Sequence, residues 1–375
     1  MPRLRLPIAL TLLLPALLAG CGEQGPTPPP PVSAEALAAV AESPGVNREE
    51  LARAVDALFT RDDIGETRAV LILHAGEPAA ERYAEPYTPE TRFVGWSMSK
   101  TVTGVMIGML VADGKLRLDE SPPIDTWQRP GDPRGEITLR QLLQMRSGLR
   151  HVEAGDPPFE SSEVRMMFLD GRDDMARWAE AEPLAHEPGR QFQYSTNTTV
   201  ILADIAARVL APGGSPAQRR HAVDELLKAR LFAPLGMNSA FAEYDAAGTM
   251  IGGSLIHASL RDWGKFGELL RHGGSNKGVQ LVPRGWVRFM ASPSPRAPDY
   301  GAQLWLNMPS ETDRAVLFAE RGPADLVGMV GHLGQYVLVS PSLKLTVVRL
   351  GKTQSREERA RLEDALGDIV ALYGK

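Results

Sequence analysis

The chain has 375 residues, with 41 Lys and Arg against 46 Asp and Glu and a formal net charge of −5. At roughly 150 residues per domain this length suggests two lobes or one large fold with an insert, and the mild acidity argues against a nucleic-acid partner, which needs a basic footprint. Hydrophobic residues at 43% and charged residues at 23% exclude wholesale disorder, and a single cysteine, Cys21, excludes internal disulfides, Cys-rich metal sites and Cys-x-x-Cys redox centres.

Residues 1–20 read as an address. Arg3 and Arg5 give a basic start, Leu6 to Ala19 is an apolar run too short for an ordinary spanning helix, and the run ends Leu18-Ala19-Gly20-Cys21. That ending resembles a bacterial lipoprotein cleavage box, which implies cleavage before Cys21, lipidation of its thiol and tethering at the cell envelope on the periplasmic side. A plain secretory signal or a short membrane anchor is the alternative. From Gly22 to about Ser33, Pro26 and Pro28 to Pro31 favour extended polyproline II, a stiff spacer between membrane and body. The body is expected over 47–375, after the lipidated cysteine and linker of 21–46.

In the body, a helix is predicted from Arg48 to Phe59. A buried strand at Ala69–His74 turns at Gly76 into a second strand near Glu81–Ala84. A long helix follows from about Ser97 to Asp113, with Val102, Val105, Met106, Met109 and Leu110 on one face, Gly104 and Gly108 as points of close backbone approach, and Gly114 as its stop. Residues 122–287 are mostly helical in pattern, clearest at Leu139–Met145 and Val200–Val209, and form a helical lobe. The tail returns to strands at Gly301–Leu306, Ala315–Ala319, Tyr336–Val339 and Leu345–Leu350, then a helix at Glu357–Tyr373. Strands at both ends and helices between predict an α+β fold: one antiparallel sheet made from both chain ends, flanked by the terminal helices, with chemistry in the cleft beside the helical lobe.

The histidines form no ligand pair on a helical face, and no His-Glu-x-x-His occurs, so no metal is expected. No Gly-x-x-x-x-Gly-Lys or Gly-x-Gly-x-x-Gly supports a nucleotide, so no cofactor is expected either. Gly95-Trp96-Ser97-Met98-Ser99 departs from the Gly-x-Ser-x-Gly elbow at its last position. Ser97 and Lys100, however, make Ser-x-x-Lys, which a helix places on one face. A lysine made neutral by burial can take the hydroxyl proton, and a helix N-terminus favours the anion that develops. Alternatively Ser97 is a helix cap and Lys100 a solvated residue; an apolar, buried helix is a poor place for the latter. Tyr194 precedes an apolar helix, where it is a core or cap residue if not a functional one. Gly331-His332-Leu333-Gly334-Gln335-Tyr336 leads into a strand, if only as a glycine-rich turn.

Taken together, Ser97-x-x-Lys100, Tyr194 and His332-x-Gly334 in that order resemble the serine β-lactamase-related superfamily in its class C-like branch, of β-lactamase/transpeptidase-like fold. That branch holds class C β-lactamases, D-Ala-D-Ala carboxypeptidases, esterases and 6-aminohexanoate-dimer hydrolases. Supporting stretches are Thr91–Asp119, Ile137–Leu149, Phe192–Ala207, Gly252–Arg271 and Gly331–Gly351. The resemblance implies Ser97 as nucleophile, Lys100 as proton acceptor, Tyr194 as proton relay, backbone N–H groups of Ser97 and Gln335 as oxyanion hole, and Thr196, His332 and Gly334 at the substrate. With Lys100 as an ammonium, Tyr194 would be a phenolate, the two sharing one mobile proton.

Two departures select among activities. Thr196 stands where class C β-lactamases carry the asparagine of Tyr-x-Asn, and His332 stands where they carry a lysine, a permanent cation suited to a substrate carboxylate. Hydrolysis of small amides or esters through a Ser97 acyl-enzyme is therefore the expected function. A β-lactamase or D-Ala-D-Ala carboxypeptidase acting on β-lactams or peptidoglycan peptides is the alternative, and a non-catalytic envelope lipoprotein a further one. Trp178, Phe168 and Phe159 line the substrate side or else the lobe core.

Overall fold

The computed structural model describes residues 31–312 and 314–374; the leader 1–20, Cys21 and the prolines up to Pro30 lie outside the described residues. Helix α1 (Arg48–Thr60) starts where the Asn47 side chain accepts from the Glu50 backbone N–H, and it turns Leu51, Val55 and Leu58 inward. The main sheet has six strands: β1 (Glu66–His74), β2 (Glu77–Tyr83), β3 (Trp305–Leu306), β4 (Val327–Gly331), β5 (Gln335–Ser340) and β6 (Leu345–Lys352). Their order is β2-β1-β6-β5-β4-β3, and every neighbouring pair is antiparallel. The first strand of the body thus pairs with the last, Leu71 opposite Val348 and Ile72 opposite Val347. The sheet is built from both chain ends, as the sequence predicts.

Strand alternation divides the core. Val70, Ile72, Leu338 and Val347 pack with Leu51 and Val55 of α1 and Leu366 of the C-terminal helix. Leu71, Val337, Val339 and Val348 face the other way, toward Trp263 and Phe266. The central helix α2 (Ser99–Ala112) is buried at every position from Ser99 to Leu110, so it carries no solvent face. Further helices are α3 (Ser162–Phe168), α4 (Thr196–Leu210), α5 (Leu260–Arg271) and α6 (Arg356–Tyr373). Ser195 caps α4, and Ser355 with Glu358 forms a capping box on α6.

Several boundaries differ from expectation. The long helix does not begin at Ser97: a 3-10 turn, Trp96–Met98, precedes α2. Ala315–Ala319 is no strand, and Gly301–Leu306 is a strand only at Trp305 and Leu306. A five-residue apolar run reads alike whether it joins a ladder or packs by side chains; here Phe318 packs against the terminal-helix core without a ladder partner. β4 (Val-Gly-Met-Val-Gly) is a strand beyond those expected, its glycines diluting the strand signal. Helix α5, inside the stretch expected as helical lobe, packs on β1, β5 and β6 of the sheet.

The glycines of α2 do allow close approach. The indole of Trp286 donates to the Gly104 carbonyl at 3.0 Å, and a Cβ on Gly108 would overlap that indole. Gly108→Ala is therefore expected to cost about 1–3 kcal/mol through overpacking. Gly285→Ala, in the separate helix Arg284–Met290 and where a Cβ meets nothing within 4 Å, is expected to be neutral or stabilising by up to about 1 kcal/mol from helix propensity. Urea midpoints of the two variants check this; equal midpoints would show that the indole yields to the methyl group.

Candidate active site

Ser97 stands on the 3-10 turn between the end of β4 and the start of α2. Trp96, just before it, has φ +47°, a conformation that costs a bulky residue of order 1–3 kcal/mol and that surrounding structure must enforce. One turn on, Lys100 is 2% exposed. Its Nζ lies 2.9 Å from Ser97 Oγ, 2.7 Å from Thr196 Oγ1 and 3.0 Å from the Gly253 carbonyl oxygen. Burial pushes its pKa down, opposed by the carboxylates of Glu153 and Glu163. A lysine so placed can exist as a neutral amine aimed at a hydroxyl, the requirement for activating a serine.

Tyr194 stacks on Trp305 with ring centroids 5.3 Å apart and meets Tyr300 edge-on at 5.8 Å, while Lys100 Nζ sits 4.9 Å from its ring centre. Burial first, and then the Glu153 carboxylate, hold its phenol well above the usual pKa; hydrogen bonding with Ser97 acts the other way. The sequence reading pairs an ammonium at Lys100 with a phenolate at Tyr194; burial and the neighbouring carboxylate act toward the protonated phenol. His332, edge-on to Trp96 at 5.3 Å, has its pKa lowered by burial and then by Arg359, which keeps it neutral.

These side chains open onto a cleft of about 570 Å³ lined by Ser97, Tyr194, Glu153, Glu163, Trp305, His332 and Arg359, among others. Ser97, Lys100, Tyr194 and His332 are brought together; three other expected site residues are not at the cleft. Thr196 is buried at 0% exposure and holds Lys100 rather than facing a substrate. Gly334, at φ +77°, lies in the β4–β5 turn with its carbonyl accepting from Arg349 at 2.8 Å. Gln335 pairs with Gly331 in the ladder, and its side-chain amide donates to the Gly351 carbonyl at 2.7 Å. The reason is common to both: a tight hairpin turn consumes the polar groups that an extended segment would have offered. Of the three aromatics, Phe168 lines the cleft; Trp178 donates to Asp170 instead, and Phe159 is exposed outside it.

Sequence reasoning missed Glu153, Glu163, Arg359 and Trp305. None lies at a helical or strand interval from Ser97, and no local signal distinguishes them from surface charges or core aromatics.

The family model described as Beta-lactamase matches residues 55–371. The chain is 24% identical over 332 residues to the 6-aminohexanoate-dimer hydrolase of Paenarthrobacter ureafaciens, covering 84% of this chain and 80% of that one. Among solved structures it is similar to a penicillin-binding protein homolog from Caulobacter crescentus, with a TM-score of 0.63 at 16% identity over 89% of this chain and 98% of the other. It is also similar to a family VIII carboxylesterase, with a TM-score of 0.60 at 15% identity over 84% and 95%. These structural likenesses are likenesses of fold.

Proposed function

The chain belongs to the Beta-lactamase family, a family of serine hydrolases, and on that premise we propose that it hydrolyses small amides or esters through an acyl ester on Ser97. The observation that carries this reading is the buried Lys100 amine 2.9 Å from the Ser97 hydroxyl, with Tyr194 at the same hydroxyl. Ser97 Oγ attacks the substrate carbonyl carbon as its proton passes to Lys100. The carbonyl electron pair moves onto oxygen, and collapse of the tetrahedral species expels the amine or alcohol, protonated by way of Tyr194. Water then cleaves the ester along the reverse proton path.

The oxyanion would be held by the backbone N–H of Ser97 and, in place of Gln335, that of His332, which lines the cleft at the end of β4. A donor of this kind is worth roughly 10²–10³ in rate. The β-lactam or cell-wall-peptide reading has one observation in its favour: Arg359 lines the cleft close enough to depress His332 and supplies the permanent cation that the histidine lacks. We further propose that Cys21 carries the lipid anchor at the cell envelope, a reading supported by its being the chain's only cysteine, at the end of the leader.

A panel of a short-chain phenyl ester, linear 6-aminohexanoate dimer and a chromogenic cephalosporin tests the activity. Turnover of ester or dimer without cephalosporin turnover is expected. Faster cephalosporin turnover would transfer the assignment to the alternative. No turnover, together with no covalent labelling by a fluorophosphonate, would leave a binding shell.

A further inference from the structure

We infer that Glu153 is a positioning residue for the acylation step: it fixes the Thr196 hydroxyl so that the Lys100 lone pair faces Ser97, and it gives the resulting ammonium its counter-charge. The inference rests on the reading of Ser97 as nucleophile. Both Glu153 oxygens are committed to one residue. Oε2 accepts from the Thr196 backbone N–H at 2.6 Å, and Oε1 accepts from the Thr196 hydroxyl, also at 2.6 Å.

A threonine hydroxyl has one proton. With that proton given to Glu153, Thr196 Oγ1 has only lone pairs to offer Lys100 Nζ, 2.7 Å away. The Gly253 carbonyl, at 3.0 Å, is likewise an acceptor only. Two amine hydrogens are thus assigned, to Thr196 and Gly253. A neutral Lys100 then has its lone pair at the one remaining tetrahedral position, facing Ser97 Oγ at 2.9 Å. Without the carboxylate, the Thr196 hydroxyl could turn and donate to that lone pair, competing with the Ser97 proton.

When Ser97 reacts, its O–H bond breaks, the proton joins the Nζ lone pair, and the Oγ electron pair forms the bond to the acyl carbon. A cation then appears in a fully buried place. Its carboxylate partner is Glu153 Oε1, 4.0 Å from Nζ. The charged and titratable groups around Glu153 are Lys100 from α2, Tyr194 before α4 and Glu163 from α3; His332 and Arg359 line the same cleft. Glu163 is pushed up to about 7, by burial first and then by Glu153 beside it. Near neutral pH Glu163 is thus partly protonated, while both Glu153 oxygens are held in place by the Thr196 hydrogen bonds.

The test is the second-order rate of covalent labelling by a fluorophosphonate between pH 5 and pH 10, on the full chain. For Glu153→Gln the plateau rate is expected to fall about 10-fold or more, short of the ~10²–10⁴ lost with a general base itself. Its acid limb should move to lower pH, because Lys100 sheds its proton more readily without the counter-charge. Glu153→Asp should keep the limb in place and recover part of the rate. If Glu153→Gln does not fold, Thr196→Val is expected to lower the plateau with little movement of the limb, and Thr196→Ser to restore it.

A purely structural role would lower the labelled fraction without moving the limb, and would overturn the inference. So would Glu153→Gln labelled within twofold of the parent, a limb moved to higher pH, or Thr196→Val labelled like the parent. If Ser97→Ala is itself labelled at the parent's rate, the nucleophile assignment fails, a result separable from all of these.

Discussion

Ser97→Ala is expected to lose fluorophosphonate labelling altogether and to lower ester turnover at least about 10⁴-fold, the scale on which removal of a serine nucleophile disables such enzymes. The residual rate would come from binding and the oxyanion donors alone. The fold should survive. Ser97 lies on a short 3-10 turn and, unlike Asn47 or Ser195, makes no capping hydrogen bond, so losing its hydroxyl removes only the hydrogen-bond partner it offers Lys100 and Tyr194. Intact-mass measurement after labelling, with a melting curve on the same sample, checks both halves. Undiminished adduct formation on the variant would place the reactive hydroxyl elsewhere.

Two substitutions at Lys100 separate its charge from its basicity. Lys100→Met removes the amine in a side chain of similar length and should cost at least about 10²–10⁴ in labelling rate, the usual scale of a lost general base. Lys100→Arg keeps a cation beside Ser97, but a guanidinium stays protonated in proteins and cannot take the serine proton. It should therefore be as inactive as the methionine variant. It should also be less stable by about 1–3 kcal/mol, because a larger planar head must enter a packed site in which the native amine is 2% exposed. The burial that lowers the Lys100 pKa sets the pH sign: the amine stays neutral below the range in which a solvated lysine protonates, and activity should fall only as the pH drops further and Nζ takes its proton. Substantial labelling of Lys100→Arg would mean that the residue serves as a fixed positive charge, and the proposed proton path would be wrong.

Much of the fold was legible because it rests on local pattern. The apolar run that became β1, the hairpin around Pro341–Lys344 and the periodic terminal helix each state their own conformation, and two apolar strand groups at opposite chain ends need each other to close a sheet. Where patterning was ambiguous the reading failed: Ala315–Ala319 has a strand's composition without a ladder, and β4 is a strand with a glycine at every third position.

The site divides along the same line. Ser97 and Lys100 are three residues apart, so helical geometry alone sets them side by side, and the sequence by itself determined that pair. The partners of the pair are another matter. Thr196 is 96 positions from Lys100 and 43 from Glu153, and nothing in the composition of either stretch says that one hydroxyl will bridge them. Likewise, His332, Gly334 and Gln335 are consecutive in pattern, yet the β4–β5 turn sends the histidine to the cleft and the other two into the hairpin. Only the tertiary structure decided which polar groups face the reacting hydroxyl, because a hydrogen bond depends on position to a few tenths of an ångström, and long-range position is set by how the whole core packs.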